Sequence, residues 1–157
     1  VFLLVMLSPI PEKRWDRTLA AHLLNRAGFG GTPDQVDQLV AMGPRKAVDS
    51  FLDVDDESPL FPIPNLLDPP ARLLFKQREK DAPTVEEKQA VRKELNQANA
   101  LSMIDLRIWW LNRMRYSFVP LLEKATFFWH GHFATSNQKV NDPFLMWYQN
   151  DTLRRHA

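Results

Sequence analysis

The chain has 157 residues, 45% of them hydrophobic, with 20 Lys and Arg against 19 Asp and Glu. That length and composition suit one globular domain. The near-zero net charge argues against a nucleic-acid partner, whose binding rests on clustered cationic excess. No cysteine is present, which excludes disulfides, thiolate metal ligands and cysteine nucleophiles.

The chain opens "VFLLVMLSPIP". Its apolar run is far shorter than the roughly 20 residues that span a bilayer. Residues 1–14 are either the end of a signal-peptide apolar region or a leader that packs on the body. Residues 15–157 read as the N-terminal part of a single helical domain, cut from something longer.

Helical spacing dominates from Asp16 to the C-terminus. The first helix is predicted from about Asp16 to Ala27, with Leu19, Ala20, Leu23, Leu24 and Ala27 as its apolar stripe. Gly28 is expected to cap it in the left-handed conformation, and Gly30 and Gly31 to form a turn. "TPDQ", residues 32–35, reads as a capped helix start, with Thr32 as N-cap, Pro33 at the first position and Gln35 reaching back. Val36, Leu39 and Val40 are expected to face inward. Gly43 and Pro44 end that helix and begin another, with Ala47, Val48, Phe51 and Leu52 inward.

Residues 53–83 read as a loop-rich insert: a proline- and acid-rich strap to residue 70, a short helix over 71–79, and a break at "DAPT". A long helix is predicted from Val85 to Arg115, with a break near Asn96–Asn99 as an alternative. Leu101, Ile104, Ile108 and Leu111 carry the spacing of a buried seam. Pro120 opens the next helix and Gly131 is expected to close it. "FATSNQKVN" reads as a loop, and Asp142 with Pro143 starts the last helix. The fold class expected is all-α, an irregular helical bundle with one long helix and a Pro-rich strap.

Two blocks of sequence, "AHLLNRAGFGGTPDQVDQLVAMG" at 21–43 and "PLLEKATFFWHGHFATSNQKVNDPFLMWYQNDTLRRHA" at 120–157, resemble the signature blocks of the bacterial family called domain of unknown function 1800. The resemblance implies a mainly helical fold and a longer, often exported protein. An exported or envelope location is therefore expected. No activity is established for that family, so the resemblance carries over no catalytic residue.

The residues themselves offer three sites. His130 and His132 flank Gly131 in "FFWHGHFATS". In a helix, positions i and i+2 point about 200° apart and do not share a metal; in an extended segment they share a face. With Glu123 or Asp142 they would line a catalytic cleft or hold a divalent cation, although no further ligand lies at a diagnostic spacing. The plainer reading makes them packing groups that satisfy a helix end. His22 and Arg26, one helical turn apart, with Arg154, Arg155 and His156 at the chain end, would bind an anion or pair with acids of the strap at 53–57. The rings of Trp109, Trp110, Trp129, Trp147 and Tyr148 are expected mainly in the core, with a sugar-stacking platform as the alternative. "GFGG" at 28–31 lacks the preceding strand of a dinucleotide loop. These residues support three functions: a helical scaffold or interaction module, ranked first; a metal-assisted hydrolase acting on a cell-surface or polysaccharide substrate; and a carbohydrate-binding module. A protein or a glycan is the partner expected.

Overall fold

The structure is a computed structural model and describes residues 9–52, 60–133 and 135–157. Residues 1–8 of the leader over 1–14, and the acids at 53–57, lie outside the described residues. Among those described there are eight α-helices and no strand, so the fold is all-α. None of the described helices is long and apolar enough to cross a membrane. The chain divides into two compact units, one taking residues 1–55 and 119–124, the other residues 56–118 and 125–157.

The first unit begins with a single 3₁₀ turn, Glu12–Arg14, followed by α1 (Arg17–Ala27), α2 (Pro33–Met42) and α3 (Pro44–Leu52). Asp16 caps α1, accepting from the backbone N–H of Leu19. Thr32 and Gln35 form the reciprocal capping box at the start of α2, which satisfies two otherwise orphaned donors. Gly28 ends α1 with extended backbone, φ −143°, rather than in the left-handed region. The positive φ falls instead at Gly30, 95°, and at Gly43, 79°, where the chain turns from α2 into α3. Gly28 is needed for closeness: a Cβ there would meet the Leu24 carbonyl at 3.1 Å and Pro120 at 3.2 Å.

Ala20, Leu24, Val36, Leu39, Ala47 and Phe51 form one buried cluster, with Trp15, Leu23, Val40 and Leu121 packed against it. The indole N–H of Trp15 donates to the Leu39 carbonyl at 2.9 Å, and Arg17 pairs with Asp37, joining α1 to α2. Val48 and Leu52, expected inward, are exposed. Each follows a buried residue, so the helical turn of about 100° per residue carries it off the core face.

The second unit contains α4 (Pro69–Asp81), α5 (Val85–Tyr116), most of α6 (Pro120–His132), the single turn α7 (Asn137–Val140) and α8 (Pro143–Arg155). Asp68, Thr84 and Asp142 cap α4, α5 and α8 with side-chain oxygens. The helix expected over 71–79 is longer at both ends, and α7 occupies part of the expected 133–141 loop. α5 runs 32 residues without a break at Asn96–Asn99, roughly 48 Å at 1.5 Å per residue. α4 folds back along it, held by Arg78–Glu94 at 2.7 Å and Arg92–Glu79 at 2.6 Å. The described part of the strap lies on α5 through two hydrogen bonds, Leu67 N–H to Ser102 Oγ and Trp109 Nε1–H to the Phe61 carbonyl.

The face that α5 buries is not the predicted seam. Leu101, Ile104, Ile108 and Leu111 are 48–65% exposed. The buried positions are Val91, Asn99, Ser102, Leu106 and Arg113, which lie roughly 160° around the helix from the seam at 3.6 residues per turn. Polar residues occupy that face because each meets a matching group. Arg72 donates to Asn99 Oδ1 at 2.8 Å and to the Asn141 carbonyl at 3.0 Å, and Asn99 Nδ2 donates to that carbonyl at 3.2 Å. Asn141 sits in the left-handed region, φ 47°, and Asp142 beside it ion-pairs with Arg72 at 3.0 Å. This clamp joins α4, α5 and the start of α8.

Candidate functional site

α6 passes through Gly131 and ends at His132; it is not closed at Gly131. Its last turn is fixed by the Phe133 N–H donating to the Trp129 carbonyl at 2.8 Å. Ring pairs one turn apart, Phe128 on His132 and Trp129 on Phe133, reinforce it. The two imidazoles therefore leave the helix in different directions. His132 is exposed and stacks 6.3 Å from Phe128. His130 is half-buried, its ring edge-on to Trp110 at 4.8 Å. Burial pushes the imidazole of His130 below its ordinary value, because the charged form loses hydration.

The other sequence candidates take up separate places. Glu123 is completely buried, in the part of α6 assigned to the first unit. Asp142 accepts from the N–H groups of Phe144 and Leu145 and pairs with Arg72, which makes it a cap and a clamp. Among the described residues no three His, Cys, Asp or Glu side chains gather as metal ligands would. His22 and Arg26 are exposed on α1, in the first unit. In the second unit Arg155 pairs with Asp151 at 2.7 Å, and buried Arg154 donates to Asn150 Oδ1 at 2.8 Å.

Two features were not foreseen from the sequence. One is a stack of buried guanidiniums on rings. Arg113 lies 4.8 Å from the Phe61 ring and 5.4 Å from Trp109, and Arg154 lies 5.1 Å from Trp109, within cation–π range. The second is a cavity of about 180 Å³ between α5, α6 and α8. Met103, Leu106 and Met146 give it apolar walls, and Trp110, His130, Asn150 and Arg107 add polar groups. Trp110 Nε1, His130 Nδ1 and Asn150 Nδ2 are buried without a hydrogen-bond partner among the described residues. Such atoms are rare in folded proteins and call for an explanation. Of the five rings expected mainly in the core, Trp109, Trp110 and Trp147 are half-buried, whereas Trp129 and Tyr148 are exposed.

One family model, described as "Protein of unknown function (DUF1800)", matches residues 22–157. The chain belongs to the DUF1800 family. No curated protein and no solved structure matches it. In this DUF1800 chain the matched residues include the cavity's His130, Met146 and Asn150.

Proposed function

We propose that this domain is a helical interaction module whose docking element is the solvent face of α5. The observation that carries the reading is the exposure of Leu101, Ile104, Ile108 and Leu111, at 48–65%, on a single side of an unbroken helix. Their 3-4-3 spacing is that of a seam between two helices, and large contiguous apolar patches on soluble proteins mark interaction sites. The partner that fits is an amphipathic helix laying its own apolar stripe along this one. The divergence of His130 and His132, and the engagement of Asp142 by Arg72, favour binding over hydrolysis.

A photo-crosslinking residue placed at Ile104, in cells of the source organism, tests this. A discrete protein adduct at Ile104 that is absent from the same probe at Gln97 is the expected result. Equal or absent labelling at the two positions overturns it.

A further inference from the structure

We propose that the cavity between α5, α6 and α8 is a binding site for a short aliphatic carboxylate. The proposal does not depend on the docking face of α5. The polar groups around the cavity are mostly donors. Trp110 Nε1 only donates, and the free atom of Asn150 is its amide nitrogen, because Oδ1 already accepts from Arg154. Asn150 is 3% exposed, so its unpartnered N–H has no access to bulk water. Arg107 adds a guanidinium with no ion pair among the described residues. Among the described residues no carboxylate lines the cavity. An environment rich in donors and poor in acceptors selects a ligand that brings acceptor oxygens, and a guanidinium prefers them ionised.

The walls select the remainder of the ligand. Met103, Leu106 and Met146 offer apolar surface, two of them through pliable thioethers. A volume of about 180 Å³ is that of roughly six waters at about 30 Å³ each. That accommodates a head of two oxygens and a tail of a few carbons. The half-buried ring of His130 closes one wall, edge-on to Trp110. Its role here is to shape the wall and receive the ligand, with no proton transfer required.

The experiment is a titration of the intact chain, labelled with ¹⁵N, following the indole N–H resonance of Trp110. The probes are straight-chain carboxylates from acetate to octanoate, with pentanamide and pentylamine as uncharged and cationic controls. The expected result is a saturable shift that is strongest for four to six carbons and at least tenfold weaker for both controls. The Arg107→Gln variant changes an exposed side chain and keeps the fold. It should weaken pentanoate binding about tenfold and leave pentanamide unchanged. Absence of a saturable shift overturns the proposal. So does affinity that rises steadily to octanoate, which signals general hydrophobic binding, or an equal response to pentanamide or to pentylamine. Pentanoate binding unchanged by Arg107→Gln overturns it as well.

Discussion

The two units bury different kinds of residue. In the first, Ala20, Leu24, Val36, Leu39, Ala47 and Phe51 meet in one aliphatic and aromatic cluster, and Glu123 is the one buried charged residue among those described. In the second, Asn99, Ser102, Arg113, Thr126, Asn150 and Arg154 are buried alongside Val91, Leu106 and Met146, while a full apolar stripe of α5 faces solvent. The first unit is held by non-directional burial. The second adds directional pairings such as Arg72 with Asn99, Asn141 and Asp142.

The comparison yields predictions in order of size. Phe51→Ala should cost about 3–5 kcal/mol, as for an aromatic removed from a packed core. Urea denaturation measures it, and a loss under about 1 kcal/mol would show that the aliphatic cluster is not what closes the first unit. Next comes a pair of positions two residues apart on α5. Leu106→Ala should cost about 2–5 kcal/mol, whereas Ile108→Gln should stay within about 0.5 kcal/mol. Equal losses would restore the predicted seam as core and break the contrast. Asn99→Ala removes an acceptor from Arg72 and a donor to Asn141, and should cost about 1–3 kcal/mol by leaving buried polar groups unmatched. A neutral result would mean that water replaces the side chain and that the clamp contributes little.

The smallest effect is a pH dependence. With the folded-state value of His130 depressed by burial, the unfolded chain takes up a proton at higher pH than the folded one. Stability from this group is complete above the ordinary imidazole value of about 6.5. It falls as pH drops through that value and levels off below the depressed one. Chemical denaturation across pH 5–8 should show this slope in the native chain and a shallower one in His130→Phe. Identical slopes would assign the dependence to another group.

How much of the fold and the site is legible in the sequence depends on how local the deciding interaction is. The caps at Thr32 and Asp142 satisfy N–H groups two or three residues away, and the sequence pattern locates both. The inward face of α2 emerges from its periodicity for the same reason. The buried face of α5 does not, because its determinants are remote: Arg72 lies 27 residues from Asn99, and Asn141 lies 42 residues from it. Periodicity identifies the apolar stripe correctly but carries no information on whether a stripe faces its own chain or another. The end of α6 is misplaced when glycine is read as a stop, whereas ring pairs across Gly131 carry the helix one residue beyond it. The cavity has no local signature, since its lining comes from three helices. Only the oddness of His130 among aromatics hints at it.

The first unit is assembled from two stretches separated by more than sixty residues, 1–55 and 119–124, and Leu121 and Pro120 supply contacts to its cluster and to Gly28. As the ribosome emits the chain, α1 to α3 emerge well before that closing piece has been made. The nascent cluster must wait, incompletely covered, for the whole of α4 and α5 to be synthesised. Such non-local closure slows folding and leaves a window in which a chaperone that recognises apolar surface has a natural place to bind.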